Sequence, residues 1–266
     1  MKPPTRLETR MRALGARKAL VTFITAGDPH ISMTVPAMHA LVAGGADVIE
    51  LGIPFSDPEA DGPVIQAASE RALAAGTRFA NVLTAVADFR SQDAVTPVVL
   101  MGYLNTVSSQ SGFAARAQAA GVDALIMVNL PPEEAIDFRH QHAGEHLNLV
   151  FLVAPTTTRQ RIGTIAAAAS GFLYYVSFKG ITGASHLAID EVREKVAAIR
   201  QQTQLPICVG FGIKDGATAA QVAAIADGVV VGTALVRIMA ETVGGPTAIT
   251  AALTAKVAEF RQAIDR

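Results

Sequence analysis

Eight short apolar runs recur along the chain, with Ala-rich stretches of helical spacing between them. The runs read ALVTFITA (19–26), DVIEL (47–51), PVVLM (97–101), ALIMV (124–128), NLVFLV (148–153), FLYYVS (172–177), PICVG (206–210) and GVVVG (228–232). The intervening segments include TVPAMHALVAGG, GFAARAQAAGV, RQRIGTIAAAASG, AIDEVREKVAAIRQQ and GATAAQVAAIADG. Strand candidates that alternate with helix candidates predict a parallel sheet. The runs are continuously apolar, so both faces of that sheet are expected to be covered.

Eight such units without a Pro/Ser-rich linker, in 266 residues, predict one closed (β/α)₈ barrel spanning 1–266. An additional helix is expected near 4–15 and another after the second strand. The competing doubly wound fold expects G-x-G-x-x-G after its first strand, and that turn here reads ITAGDPH. Half the residues are apolar and Trp is absent, so the core is built mainly from Ala, Val, Leu and Ile.

Charge narrows the function classes. The 22 basic and 23 acidic residues are scattered to a net −1, which leaves no footprint for nucleic acid or an anionic membrane surface. Cys208, the single cysteine, permits neither an internal disulfide nor a thiolate metal cluster, which suits a reducing cytoplasm. It reads as a small buried hydrophobe rather than a nucleophile. The basic start of the chain has no uninterrupted apolar run before residue 19, and it reads as lacking a signal peptide; no later run suggests a membrane span.

In a barrel of this kind, functional groups belong at the carboxyl ends of strands and in the loops that follow. Residues 47–63, DVIELGIPFSDPEADGP, hold five carboxylates and no Lys, Arg or His. Glu50 interrupts a strand, where an unpaired charge is costly and where burial should raise its pKa toward that of a proton shuttle. Asp57, Glu59 and Asp61 lie in the loop. Asp28, Asn105, Asn129 and Ser177 to Ser185 follow other strands. Each also reads as turn or cap chemistry: Asp28 precedes Pro29, and Asp61 stands two places before Pro63.

Glycines supply a second signal. SFKGITGAS, GFGIKDG and VGTALV follow three successive strands, the last opening a helix. Such loops can hold a phosphate through backbone N–H groups and a helix N-terminus, although each alone also reads as a tight turn.

The run ELGIPFSDPEADGPVIQAASERAL, with FITAGDP, YYVSFKGITGA and GFGIKDG in the same order and spacing, resembles the α subunit family of tryptophan synthase. The resemblance implies a (β/α)₈ barrel that cleaves indole-3-glycerol phosphate to indole and glyceraldehyde 3-phosphate. It implies no metal and no organic cofactor, pyridoxal phosphate being expected only on a partner β subunit in an α–β–β–α complex. Residue by residue, it implies that Glu50 moves protons and Asp61 accepts the indole N–H. Gly183, Gly212, Gly232 and Thr233 are implied to bind phosphate. Phe23, Leu100, Tyr174 and Phe211 are implied to line the indole slot, although apolar residues of this kind are equally plain core.

The sequence departs from the family pattern at Glu59, where leucine is usual, and at Asn129, where aspartate is usual. Phe178 and Lys179 stand where an arginine and a small residue are common. Such changes in loops fit a co-adapted β subunit or a stand-alone lyase. A noncatalytic phosphate-binding regulatory subunit, or a barrel enzyme acting on another phosphosugar, are the readings from other classes.

Overall fold

The computed structural model describes residues 3–144, 146–176, 186–210 and 212–266. Nine strands form one parallel sheet: β1 (Ala19–Thr25), β2 (Val48–Gly52), β3 (Val98–Gly102), β4 (Ala124–Met127), β5 (Asn148–Leu149), β6 (Phe151–Val153), β7 (Leu173–Val176), β8 (Ile207–Gly210) and β9 (Gly228–Val231). The sheet order is β5-β4-β3-β2-β1-β9-β8-β7-β6. β5 and β6 are parted only at Val150, whose N–H still donates to Leu125 O at 2.9 Å. Both ends of the order therefore lie in one run of chain, and the sheet closes as the eightfold barrel expected from the sequence.

The α-helices of the described residues are α1 (Arg6–Leu14), which precedes β1, then α2 (Ile31–Ala43), α3 (Pro63–Ala74), α4 (Phe79–Arg90), α5 (Leu104–Ser108), α6 (Phe113–Ala120), α7 (Ala135–Phe138), α8 (Arg159–Ala168), α9 (His186–Arg200) and α10 (Gly216–Ala223) between strands, and α11 (Thr233–Glu241) and α12 (Gly245–Ile264) after β9. The helix expected near 4–15 is α1, begun by Thr5 and Glu8 in a reciprocal capping box. The extra helix after β2 is α3, which starts at Pro63, where a missing N–H costs nothing.

Strand parity divides the core in two. Ala19, Val21, Val48, Val99, Ala124, Ile126, Val150, Cys208 and Val230 point into the barrel, closed below by Leu7 and Met11 of α1. Leu7, Met11 and Leu14 recur at helical spacing, so one face of α1 forms the floor. Leu20, Ile24, Ile49, Leu51, Val98, Leu100 and Leu125 point outward into the layer beneath the helices.

Carboxylates that precede strands fasten this floor. Asp47, fully buried, accepts from Arg10 at 2.7 Å, Arg17 at 2.9 Å, Arg261 at 2.8 Å and the Leu20 N–H at 2.8 Å. Asp123 accepts from Arg6, from Arg90 at 2.7 Å and from the Val98 N–H at 2.8 Å. Asp227 takes the Ile207 N–H and Arg200, both at 2.9 Å. Each acid receives a strand N–H and at least one guanidinium, so its burial is offset by charge-assisted bonds. One of the five carboxylates in residues 47–63 is thus structural and stands at the end opposite the mouth.

Candidate active site at the carboxyl end of the barrel

Glu50 is the middle residue of β2, paired with Phe23 of β1 and Val99 of β3. Val48 and Val99 face the interior, and strand alternation sends Glu50 the same way. Its side chain is wholly buried, and neither carboxyl oxygen has a hydrogen-bond partner among the described residues. Burial pushes its pKa from 4.5 up to about 8. Its charge also raises the already elevated pKa values of Tyr174 and Cys208, which face the same interior.

Asp61 reaches the mouth from the loop after β2. Its carboxylate accepts from the Tyr103 hydroxyl at 3.3 Å, and its backbone carbonyl accepts from Gln66 Nε2 at 2.8 Å. Burial pushes its pKa from 3.8 up to about 6, and the tyrosine bond acts in the opposite direction. Tyr103 is itself buried at the end of β3, stacked on Phe55 with centroids 5.0 Å apart, and its oxygen accepts the Ala60 N–H at 3.0 Å. Asp61, Tyr103, Phe23, Thr25, Gly52 and Met101 line one recess at the mouth.

Missing side chains give the aromatic slot its width. A Cβ on Gly52 would stand 2.7 Å from the Phe23 ring, and one on Gly210 would stand 2.6 Å from the Tyr174 hydroxyl oxygen. The strand-end glycines leave space that the rings occupy. Phe23 and Tyr174, both expected in the slot, lie at the mouth. Leu100 does not: it is fully buried in the outer layer beneath the helices. The expectation for Leu100 is corrected to Met101, which packs on Phe23 and on the barrel interior. Consecutive residues of a strand point to opposite faces, so a shift of one position exchanges slot for core. Phe211 lies outside the described residues.

Of the phosphate candidates, Gly232 and Thr233 form the start of α11, which has no side-chain cap, so its first N–H groups are left for a ligand or water. A Cβ on Gly232 would lie 3.4 Å from Phe23 Cβ, which sets this helix start beside the aromatic slot. Gly212 is exposed after β8 with φ +50°, a left-handed backbone suited to glycine. Gly183 lies outside the described residues, as do Ser177 to Ser185, with Phe178 and Lys179 among them.

The remaining polar candidates separate clearly. Asp28 is fully buried in a two-point ion pair with Arg71, both contacts 2.8 Å, tying the loop after β1 to α3. Asn129 Oδ1 accepts the Leu104 N–H at 2.7 Å and so steadies the start of α5, on which Asn105 is exposed. Asp57 and Glu59 are exposed on the loop that carries Asp61. Sequence reasoning did not single out Tyr103 or Met101, although both stand where β3 meets its loop. Among the described residues, no group of three or more His, Cys, Asp or Glu is placed to hold a metal ion, and no helix is long and apolar enough to cross a membrane.

Comparison with known proteins identifies the family and agrees with the barrel fold. The family model for the tryptophan synthase alpha chain matches residues 11–265. The tryptophan synthase alpha chain of Chromobacterium violaceum is 54% identical over 263 residues, covering 98% of this chain and 99% of the relative. That of Alkalilimnicola ehrlichii is 53% identical over 264 residues, covering 98% and 96%. The crystal structure of tryptophan synthase subunit alpha from Legionella pneumophila str. Paris matches with TM-score 0.89 at 44% identity, covering 99% of both chains. Tryptophan synthase from M. tuberculosis in its aminoacrylate-bound form matches with TM-score 0.86 at 34% identity, covering 99% of this chain and 100% of that one. The chain belongs to the tryptophan synthase alpha chain family.

Proposed function

We propose that this chain cleaves indole-3-glycerol phosphate to indole and glyceraldehyde 3-phosphate by a retro-aldol reaction, with Glu50 and Asp61 as its working acids. The observation that carries the assignment is the bare, fully buried carboxyl of Glu50 in the barrel interior. With a pKa of about 8 it is mainly protonated at neutral pH, so it can donate a proton to indole C3. The resulting carboxylate then takes the proton from the hydroxyl on the adjacent side-chain carbon. As that oxygen becomes the aldehyde carbonyl, the bond from C3 to the side chain breaks, and its electron pair restores the indole ring.

Protonation at C3 places positive charge on the indole nitrogen. Asp61, with a pKa of about 6, is mainly ionised at neutral pH and accepts the ring N–H where that charge appears. Two carboxyls whose surroundings separate their pKa values take separate roles, one as acid and one as anion. The indole ring is the electron sink, so these steps need side chains only. Phe23, Met101 and Tyr174 form the slot for the bicyclic ring, and the start of α11 with Gly212 receives the phosphate.

Indole released here is passed to a pyridoxal-phosphate β subunit, the partner that family membership supports. Indole release from indole-3-glycerol phosphate, measured for the isolated chain and again with a β subunit, tests the proposal. Slow release that the β subunit stimulates is the expected result. Fast release by the chain alone would make it a stand-alone lyase, and no release in either case would refute the reading.

A further inference from the structure

Asp61 sits on a loop, yet its proposed task demands a position fixed to within about 0.5 Å. Among the described residues its carboxylate has one side-chain donor, the Tyr103 hydroxyl. That hydroxyl has one hydrogen to give and lone pairs to accept with, and both capacities are used. It donates to Asp61 Oδ2 and accepts the N–H of Ala60, the residue just before. Tyr103 follows directly on β3, is 4% exposed and is stacked on Phe55 of the same loop. A ring anchored to a rigid strand thus grips the loop at Phe55, Ala60 and Asp61.

We infer that Tyr103 is a positioning residue, which seats the Asp61 carboxylate toward the indole nitrogen and holds it in its ionised form. The inference rests on the role proposed above for Asp61. Among the described residues, the ionisable groups that act on Asp61's neighbours Tyr103 and Tyr174 are Glu50 from β2, Cys208 from β8 and Glu59 on the loop itself. None of these is a cation, so among the described residues a hydroxyl donor rather than an ion pair sustains the Asp61 charge against desolvation. Loss of this donor raises the Asp61 pKa and frees the carboxylate to turn.

Tyr103→Phe keeps the ring and its stack but removes both hydrogen bonds. The acid limb of kcat/KM for indole release is expected to move up by roughly one pH unit, with a roughly tenfold loss at neutral pH. In an Asp61→Asn background the same change should cost less than about twofold, because the group it acts through is gone. An unmoved acid limb, or equal losses in both backgrounds, would overturn the inference. Carboxyl ¹³C NMR titration of Asp61 in the free protein gives a readout that needs no turnover. A higher Asp61 pKa in Tyr103→Phe supports the seat even if the wild type released no indole, which would sink the proposed reaction instead. Should Tyr103→Phe not fold, Asp61→Asn reads the same contact from the other side. The Tyr103 ¹³Cζ resonance should then titrate at lower pH, since Asp61 helps push that hydroxyl up to about 12; an unchanged titration would overturn the inference.

Discussion

Glu50→Gln tests the interior acid through stability as well as activity. In the unfolded chain this carboxyl titrates near 4.5, and in the folded barrel near 8. Between those values the folded state holds a proton that the unfolded state has lost. Stability therefore falls as pH rises through this window, and the loss levels off above the folded pKa. Each pH unit is worth about 1.4 kcal/mol, so the difference accumulated between pH 5 and pH 9 is about 4 kcal/mol.

Glutamine has no proton to release and escapes this loss. Its buried amide carries a cost of its own, which is the same at every pH. The expected signature is a gap between variant and wild type that swings in the variant's favour from pH 5 to pH 9. For a chain of this size, about 4 kcal/mol corresponds to roughly 8–16 °C in melting temperature. Melts of both proteins at pH 5, 7 and 9 make the measurement, since the rest of the chain is the same in both and its contribution cancels. Parallel curves across the range would refute the claim that Glu50 is held desolvated and unpaired. The same variant should lose about 10²–10⁴ in the rate of indole release, the range of a single acid–base group.

Asp61→Asn preserves size and removes charge, so indole release should slow by about 10²–10³; an unchanged rate would return Asp61 to turn chemistry. Asp47→Asn leaves three arginines facing a neutral amide under the barrel, and urea unfolding should show a loss of about 3 kcal/mol with KM unchanged. Leu100→Ala should cost about 2–5 kcal/mol of stability and leave indole-analogue affinity intact. Met101→Ala should weaken that affinity by about 1–3 kcal/mol, and the reverse pattern would place Leu100 in the slot.

The strands were legible in the sequence because a parallel sheet covered on both faces writes each strand as an unbroken apolar run. That same continuity hid their parity. Nothing in PVVLM distinguishes the inward Val99 and Met101 from the outward Val98 and Leu100; the distinction comes from register with Glu50 and Gly52 on β2. Val150, which parts β5 from β6, is as apolar as its neighbours and leaves no mark. Asp47 and Asp61 looked alike as members of one acidic cluster. A strand rises about 3.3 Å per residue, so the five steps from Asp47 to Gly52 carry the chain roughly 17 Å, from floor to rim. Glu50 was legible for the opposite reason, since a charge inside an apolar strand has no turn or cap to serve. Tyr103 was missed because its function is a contact with a loop 42 positions away in sequence, which no local pattern encodes.

The two ends of the barrel treat the same chemical group in opposite ways, and that contrast is the strongest physical argument for where function lies. Asp47 and Glu50 are both fully buried and stand three residues apart. Asp47 is surrounded by three guanidinium groups and a strand N–H, so the cost of its desolvation is offset. Glu50 has no such donor among the described residues, and its burial is left uncompensated. A barrel shaped by stability alone gains nothing from that carboxyl, since an apolar residue there would fit the interior without penalty. A guanidinium beside Glu50 would relieve the strain, but it would also pull the pKa down and take away the proton that the proposed reaction needs at indole C3. The bare interior acid is thus intelligible as a stored proton: what makes it costly to fold is the same desolvation that makes it able to donate.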